Sequence, residues 1–390
     1  MSRPISSTRL IRTYNASTVL RVLYQHGSCS RSQLTRLTGM SPATITRIIA
    51  ELMEQGIVLE GKVGKSTGGR RPVYVHIDHT KLFIGAVKLL QDDCVVAILD
   101  LRGQIIDKER IFPHTLEPSV LLEQVVNTLN RLLEHCGINL EHILGVGVAV
   151  SGVCHSDQGV VLNSVNLGWQ DVPVTEILNT NLDLPIYMEN DANASALAEL
   201  WFGQAKDTTN SMFIKTEMGA GVGIIINKTL ITGPHFMAGE SGHVPLVTNG
   251  EPCRCGQRGC LEPYVYFGDI QARYHDRTGK LIDRDEFIEL VRRKDHYALE
   301  LVQQTAPALA LACAHWGILL DMDVITIGGL WGEFTEEIIT YCQNFYARVL
   351  ENTGISREIR IVGTEFGDDT DLLGAAGLVI NHWLTPYSVP

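Results

Sequence analysis

A short segment of the chain combines residue types that bind metals with residue types that bind sugars. One histidine and three cysteines fall within 18 residues, at His243, Cys253, Cys255 and Cys260. Thiolate and imidazole ligands at this spacing suit Zn²⁺, and four protein ligands leave no open position for a metal-bound water. The segment therefore indicates a structural zinc that holds a loop in place. The same loop carries Glu240 and Glu262, whose carboxylates are suited to accept hydrogen bonds from sugar hydroxyls.

Two other interpretations of this cluster stay open. It could be a chance grouping of buried thiols beside a surface histidine, or two of its cysteines could form a disulfide. The remaining six cysteines are scattered without a framework, which is typical of a protein in a reducing cytosol; they are Cys29, Cys94, Cys136, Cys154, Cys313 and Cys342.

Length and composition set the scale of the elements that must position this loop. The 390 residues are enough for two or three domains, and 45% of them are hydrophobic, which is ordinary for a globular protein. Apolar runs such as Ile143–Val150 are far shorter than a membrane span, and the amino terminus lacks a signal-peptide pattern. We expect a cytoplasmic protein without membrane insertion.

The charge is divided unevenly along the chain. Residues 1–81 contain twelve Lys or Arg and four Asp or Glu, a net charge of +8, whereas the remainder has 20 basic and 40 acidic residues. A basic amino-terminal module on an acidic body is typical of a DNA-binding domain fused to a second function.

Three short helical patterns follow one another in the basic module. Ser30 and Gln33 form a capping box for the second helix, and the third has an apolar stripe over Ile45–Leu52. The residues predicted to start and to end the three helices are Asn15 and Gly27, Ser30 and Gly39, and Ser41 and Gly56. The tight link Gly39–Ser41 predicts a helix-turn-helix.

In a helix-turn-helix, the first turn of the last helix meets base edges in the major groove. After that helix, two predicted strands at Ile57–Leu59 and Val73–Ile77 enclose a basic, glycine-rich wing that could follow the DNA backbone. The predicted DNA contacts are Ser41, Ala43, Thr44, Thr46 and Arg47 on the helix, and Lys65, Arg70 and Arg71 in the wing. A three-helix protein-interaction module is the alternative.

From residue 82 the pattern changes to alternating strands and helices, which indicates an α/β fold with two lobes. Predicted strands are Phe83–Leu89, Cys94–Leu101, Gln104–Phe112, Ile143–Val150, Met212–Lys215, Val222–Asn227, Val324–Ile327 and Ile359–Val362, with another near Ile186. Predicted helices are Pro118–Cys136, Ala192–Trp201 and Ala298–Trp316.

Three sequence runs in this order resemble the ROK family of sugar kinases and sugar-responsive repressors. They are Glu189-Asn190-Asp191-Ala192-Asn193, Gly239-Glu240-Ser241-Gly242-His243, and the run from Cys253 to Glu262. The resemblance covers nearly the whole chain, because the repressor branch places a winged helix-turn-helix before a kinase-like body. It implies a two-lobed actin-like (RNase H-like) ATPase/sugar-kinase fold. The expected division is residues 1–81 for the DNA-binding domain and 82–390 for the body, with lobes at about 82–191 and 192–370 and a carboxyl-terminal helix at 371–385.

The resemblance also implies the ligand sites. Zinc would be held by His243, Cys253, Cys255 and Cys260, and the sugar by Gly152, Asn190, Asp191, Glu240, His243 and Glu262. His243 would bind zinc through one ring nitrogen and offer the other to a hydroxyl. An ordinary strand-to-helix turn with Asp191 as N-cap would also explain Asn190-Asp191.

In the kinases of this family, the residue matching Asp191 is the general base, and an Asp-x-Gly-Gly-Thr turn binds phosphate. Here Lys88-Leu89-Leu90-Gln91-Asp92 stands in the place of that turn, so the aspartate and both glycines are missing. Gly219–Gly223 and Gly328-Gly329 remain, but glycine-rich loops alone are weak evidence for phosphate binding. The sequence therefore favours loss of nucleotide binding with retention of the sugar cleft.

We interpret the chain as a sugar-responsive transcriptional regulator, a repressor of carbohydrate-metabolism genes, without an enzymatic activity. The expected partners are operator DNA, a sugar or sugar-phosphate effector, and further copies in a homodimer or dimer of dimers. An ATP-dependent sugar kinase carrying a DNA-binding domain is the alternative. A regulatory protein partner that sequesters the repressor is a third possibility.

Overall fold

The amino-terminal part is a small three-helix module with a three-stranded antiparallel sheet, which we call the head. The computed structural model describes residues 7–63, 71–91, 93–216, 218–354, 357 and 359–385. The head contains α1 (Ser7–His26), β1 (Ser28–Ser30), α2 (Arg31–Thr38), α3 (Pro42–Glu54), β2 (Val58–Val63) and β3 (Val73–Ile77). The strand order β1-β3-β2 places β3 in the centre.

The predicted capping signals position α2 and α3. Ser30 accepts a hydrogen bond from Gln33 N at 3.2 Å, and its own backbone N–H donates to Gln33 Oε1 at 2.8 Å, which completes the capping box. Ser41 accepts from Thr44 N at 3.2 Å, and Gly39 ends α2 with a φ of 71°. The predicted start of the first helix is wrong, because α1 runs through Asn15 from Ser7.

The part of α1 that precedes its predicted start contacts α3. Arg12 lies 2.8 Å from Glu51 on that helix. Asn15 lowers helix propensity only weakly and does not force a helix to begin.

The body begins with a five-stranded mixed sheet. Its strands have the order β11-β7-β4-β5-β6, in which β4, β7 and β11 are parallel and β4, β5 and β6 form an antiparallel meander. The elements are β4 (Phe83–Leu89), β5 (Cys94–Asp100), β6 (Ile105–Ile111), α4 (Pro118–Cys136), β7 (Ile143–Val150), α5 (Val174–Asn179) and β11 (Ile186–Asn190). A small sheet, which the sequence analysis missed, is inserted between β7 and β11 and contains β8 (Val153–His155), β9 (Val160–Ser164) and β10 (Trp169–Val172).

A second five-stranded sheet repeats this topology. Its order β14-β13-β12-β15-β16 again combines an antiparallel meander with two parallel strands. The elements are α6 (Asp191–Trp201), β12 (Ser211–Lys215), β13 (Gly221–Ile226), β14 (Thr229–Leu230), α7 (Glu262–Val265), α8 (Phe267–Thr278), α9 (Arg284–Arg292), α10 (His296–Leu320), β15 (Val324–Gly328), α11 (Thr340–Thr353), β16 (Arg360–Gly363) and α12 (Thr370–Leu384). The duplicated sheet is the two-lobed actin-like arrangement that the sequence predicts.

Helices α6 and α12 form the layer between the two sheets. α12 packs on β4, β7 and α6, and α6 packs on β12 and β13. The approach is close enough to require glycine: a Cβ at Gly147 would lie 1.8 Å from Ala375 O, and a Cβ at Gly374 would lie 2.3 Å from Ala194 O. The two helices are therefore fixed to each other and to the first sheet through their backbones.

The head and the body share one hydrophobic cluster. Leu23, Ile49 and Ile77 of the head belong to the same set of buried, contacting side chains as Leu101 and Ile380 of the body. Among the described residues, none of the helices has the length and hydrophobicity needed to cross a bilayer.

Candidate ligand cleft and metal centre

The carboxyl end of β11 and the first turn of α6 place two of the predicted sugar ligands. Asn190 is the N-cap of α6, and its side-chain oxygen accepts from Ala192 N at 2.9 Å and from Asn193 N at 3.3 Å. Its amide nitrogen donates to Gly152 O at 2.9 Å, which ties the turn after β7 to the start of α6. The alternative in which Asp191 caps this helix is wrong, because Asn190 performs that role and the carboxylate of Asp191 faces another partner.

That partner is a lysine that sequence analysis missed. Lys215, at the end of β12, lies 2.8 Å from Asp191 Oδ2 and 2.6 Å from Asp371 Oδ1 on α12. Burial alone would lower the pKa of Lys215, but the carboxylates of Asp191 and Asp371 outweigh it and the net direction is upward. Lys215 is therefore a buried cation shared between two carboxylates.

The turn that carries Glu240 forms another part of the candidate site. Burial raises the pKa of the Glu240 carboxyl, His243 opposes this effect, and the nearby carboxylates of Asp191 and Glu262 add to it. Glu262 begins α7, and its carboxylate lies 3.8 Å from His243 Nε2 and 3.2 Å from the Arg254 guanidinium. The carboxylates of Asp191 and Glu262 are thus close enough to Glu240 to act on its pKa.

The predicted metal ligands also lie together. His243 Nδ1 is 3.5 Å from Cys253 Sγ, and Cys255 Sγ is 3.7 Å from Cys260 Sγ. Ligand atoms of His243, Cys253 and Cys255 all lie within 4.8 Å of one another, and Cys260 adjoins that group through Cys255. A backbone hydrogen bond from Gln257 lowers the pKa of Cys255 to about 7, and burial raises the pKa of Cys260 to about 12.

These separations match the edges of a tetrahedral metal site. Metal–sulfur distances of about 2.3 Å and metal–nitrogen distances of about 2.05 Å give edges of about 3.8 Å between two sulfurs and about 3.5 Å between nitrogen and sulfur. The observed sulfur–sulfur and nitrogen–sulfur distances agree with these values, whereas a disulfide would need sulfurs about 2.05 Å apart. The residues present therefore fit a metal ion, with His243 Nε2 left free to face Glu262.

The first hairpin of the body is filled by internal ion pairs. Lys88 is 5% exposed, and its ammonium lies 2.6 Å from Asp93, 3.5 Å from Asp371 and 3.1 Å from the backbone oxygen of Asp368. An ammonium has three N–H groups, so these partners leave none for a phosphate. Asp92, which the sequence analysis also invoked, lies outside the described residues.

A cavity of about 270 Å³ beside this hairpin is also lined by paired charges. Its two further cations are paired as well, with Lys108 at 2.6 Å from Asp369 and Arg110 at 3.0 Å from Asp93. The cavity is therefore lined by carboxylates as well as by cations.

Three glycines of the surviving runs have packing reasons of their own, whereas a Cβ at Gly219 would meet only Glu262 Oε2 at 3.6 Å. A Cβ at Gly223 would lie 2.4 Å from Ala192 O on α6, and one at Gly328 would lie 2.1 Å from the Phe213 ring. Gly329 adopts a φ of 75°, and a Cβ there would lie 2.2 Å from Thr216 O. Close packing, without any nucleotide, thus accounts for glycine at these three positions.

The head exposes most of the residues predicted to contact DNA. Ser41, Ala43, Thr46 and Arg47 are exposed on the first turns of α3, while Thr44 is half-buried and hydrogen-bonds Ser41 at 2.9 Å. Arg71 is exposed at the end of the wing, and Lys65 and Arg70 lie outside the described residues. These DNA contacts stay predictions, as do the individual sugar ligands.

Comparison with known proteins agrees with this architecture. Residues 84–382 match the ROK family, and residues 13–59 match the MarR family. The match covers more than half of the chain, and the protein belongs to the ROK family.

Its relatives include both repressors and kinases. The chain is 25% identical to the xylose repressor of Bacillus subtilis (strain 168) over 97% of this chain and 98% of the repressor. It is 29% identical to a glucokinase of Halalkalibacterium halodurans over 73% of this chain and 91% of the kinase. The crystal structure of a ROK family transcriptional regulator, a homolog of the E. coli MLC protein, has the same fold with a TM-score of 0.83, 23% identity and 96% coverage of both chains. The match to the Bacillus subtilis repressor spans 97% of this chain and so includes the head, whereas the glucokinase match covers 73% of it.

Proposed function

We propose that the protein is a sugar-responsive, DNA-binding transcriptional repressor. The observation that carries the proposal is the fusion, in one chain, of a head with an exposed α3 surface to a body in which Asn190 bonds Gly152 at 2.9 Å and His243 lies 3.8 Å from Glu262. The similarity to a xylose repressor along nearly the whole chain supports both the DNA-binding role of the head and the sugar-binding role of the body. The sugar, free or phosphorylated, binds between the lobes and changes operator affinity.

The proposal is tested by finding an effector and an operator together. A thermal-shift screen would use xylose, glucose, N-acetylglucosamine, allose and their phosphates, with ATP as a control. A DNA duplex selected by the full-length protein from a random library would supply the operator. A sugar that both raises the melting temperature and changes affinity for that duplex supports the proposal. Absence of any sugar binding, or of any sequence-selective duplex, contradicts it.

Replacing Arg47 with alanine should weaken operator binding by about 1–3 kcal/mol if this side chain reads a base. Arg47 is exposed on the face of α3 opposite the buried Ile45, Ile48 and Ile49, so the fold of the head should be unaffected. Binding is measured by fluorescence anisotropy on the selected duplex and on a scrambled one. Equal weakening on both duplexes would instead place Arg47 on a phosphate, and unchanged binding on both would remove it from the interface.

We propose Zn²⁺ as the metal of the cysteine–histidine cluster, with a structural role. His243, Cys253, Cys255 and Cys260 would hold it, and the three thiolates favour zinc over harder cations. When bound, the ion would fix the turn between Glu240 and His243 and so orient His243 Nε2 toward the sugar. The four protein groups leave no ligand position for chemistry.

Substituting Cys255 by serine should release the metal, because a hydroxyl is a far poorer zinc ligand than a thiolate. We expect the metal content, measured by mass spectrometry, to fall from about one ion per chain to near zero. The affinity for sugar should fall together with the metal content. The helical circular dichroism signal of the full-length protein should be retained. The matched control is Cys29→Ser, which lies in the head and outside the groups of described residues that could hold a metal. Unchanged zinc in the Cys255 variant would refute the ligand assignment.

We propose that the protein is not an enzyme. The saturated ammonium of Lys88 and the packing of Gly223 and Gly328 support this reading. A sugar kinase carrying a DNA-binding head is the second candidate, favoured by the glucokinase relative and by the presence of Asp191 at the position of the kinase base. A coupled assay for ATP-dependent phosphorylation of the same sugars decides between them, since turnover that is lost in Asp191→Asn would establish the kinase.

We further propose a homodimer, or a dimer of dimers, as the DNA-binding form. Two recognition helices would then reach half-sites about one helical turn apart. A protein partner that sequesters the repressor is compatible with this assembly.

A further inference from the structure

Two neighbouring helices both begin at the cleft. α6 begins at Asp191, and α12 carries Asp371 in its first turn. Lys215 bridges the two carboxylates, and Ser195 on α6 donates a hydrogen bond to Asp371 Oδ1 at 2.9 Å. The start of each helix is thus held in one ion network with the proposed sugar ligand Asp191.

The same two helices both end at the head. Trp201, the last residue of α6, makes an edge-to-face contact with Tyr24 of α1 at a centroid distance of 5.6 Å and an interplanar angle of 84°. Leu384, the last residue of α12, offers its backbone oxygen to the Arg21 guanidinium of α1 at 3.0 Å, and Arg21 also donates to Thr385 Oγ1. A cation at a helix carboxyl terminus is favourably placed for the helix dipole.

A third contact fixes α1 to the first lobe. The Tyr24 hydroxyl donates to Leu101 O at 2.6 Å. Burial, and the nearby Asp100 carboxylate, raise the pKa of Tyr24, so this donor keeps its proton at physiological pH. α1 therefore contacts the carboxyl ends of both helices and the end of β5.

Between their ends the two helices are packed together along their backbones. Gly374 lets the backbone of α12 reach Ala194 on α6, and at Gly377 a Cβ would lie 3.2 Å from Leu197 O. With 11 and 15 residues, they span about 16 Å and about 22 Å at 1.5 Å per residue. Close-packed elements of this kind transmit small displacements because they do not deform continuously.

We propose that the Asp191–Lys215–Asp371 network and the α6–α12 helix pair connect the sugar cleft to the DNA-binding head. The inference rests on the proposed function. A sugar hydroxyl that donates to Asp191 competes with Lys215 for the carboxylate, and Lys215 then shifts toward Asp371. The starts of α6 and α12 move relative to β12, and their far ends displace Tyr24 and Arg21. The sugar acts because it binds one of the two arrangements more tightly.

The test separates binding from transmission in the full-length protein. Variants at the two ends of the connection are compared with wild type. Lys215→Met combined with Asp371→Leu removes two charges at the cleft and leaves Asp191 in place. Arg21→Ala removes the contact between α1 of the head and the end of α12. The Arg21 side chain is only half-buried, so this substitution should not unfold the protein. Arg293→Ala, which breaks a surface ion pair with Glu289 on α9, is the control.

Each variant is measured for sugar affinity by calorimetry, with whichever of xylose, glucose or N-acetylglucosamine binds wild type most tightly. Operator affinity is measured by anisotropy with and without that sugar. Wild type and Arg293→Ala should show a sugar-dependent change of about 5- to 150-fold in operator affinity. In both connection variants we expect the sugar-dependent change in operator affinity, measured at saturating sugar, to fall below about twofold. In Arg21→Ala, which lies at the head, sugar affinity and sugar-free operator affinity should stay within about threefold of wild type.

Retention of the full sugar-dependent change in Arg21→Ala, or in the double variant, would overturn the connection. If the double variant does not fold, as judged by its thermal melt, Arg21→Ala alone decides. A wild-type protein whose operator affinity ignores a bound sugar would contradict the proposed function itself, which is a separate outcome.

Discussion

Replacing Asp191 with alanine is expected to abolish the response of operator binding to sugar while operator binding without sugar persists. In the proposed sugar site this carboxylate, at the first turn of α6, accepts a sugar hydroxyl in competition with Lys215. A hydrogen bond to a charged group contributes about 1.5–3 kcal/mol, so the affinity for sugar should fall about 10- to 150-fold. Calorimetry measures this loss, and anisotropy measures operator binding.

The matched control is Asp207→Ala, which removes an exposed carboxylate away from the cleft. It should leave both affinities unchanged. Sugar affinity in Asp191→Ala equal to that of wild type would remove Asp191 from the site and with it the proposed position of the ligand. Loss of operator binding without sugar would show that this residue supports the fold instead of ligand recognition.

Substituting Lys88 by methionine is expected to destabilise the body by about 3–5 kcal/mol, because it leaves a buried ion network without one of its cations. The side chains of Lys88 and Asp371 are each 7% exposed, and Asp93 loses its partner at 2.6 Å. The free energy of unfolding is measured by urea denaturation followed by tryptophan fluorescence. On the proposal that the hairpin does not bind phosphate, ATP should not restore stability.

Lys108→Met is the control, since it makes the same substitution in the same cavity. The Lys108 side chain is 46% exposed and pairs with Asp369 at the surface, so its loss should cost below about 1 kcal/mol. Equal losses of unfolding free energy in the two variants would show that Lys88 stabilises the body no more than a surface ion pair does. A Lys88 variant that gained ATP-dependent stability would identify the lysine as the block to nucleotide binding.

The parts of the fold that sequence predicted are those governed by local patterns. The capping box at Ser30 and Gln33 defines the start of α2, because both hydrogen-bonding partners lie within one turn. Pro118–Cys136 and Ile143–Val150 were predicted with the bounds that the structure has, since each is a continuous amphipathic or apolar run ended by turn residues. The metal cluster was predicted because its four residues are close in sequence.

What sequence did not predict depends on contacts between distant segments. Lys215 and Asp371 are 156 residues apart and fall in no periodic pattern, yet their ion pair fixes the environment of Asp191. The extended start of α1 contacts Glu51 of α3, which is 39 residues from Arg12. The contacts of Arg21 and Tyr24 with the body likewise arise only when the head is docked.

The most direct test of the account measures operator affinity while the sugar cleft is filled. Labelled operator is titrated with the full-length protein, with and without saturating sugar, and each condition is repeated with magnesium and ATP. We predict a change of about 5- to 150-fold on adding sugar alone, and no further change with ATP. An operator affinity that stays constant while calorimetry shows the sugar bound, or that responds only when ATP is present, would contradict it.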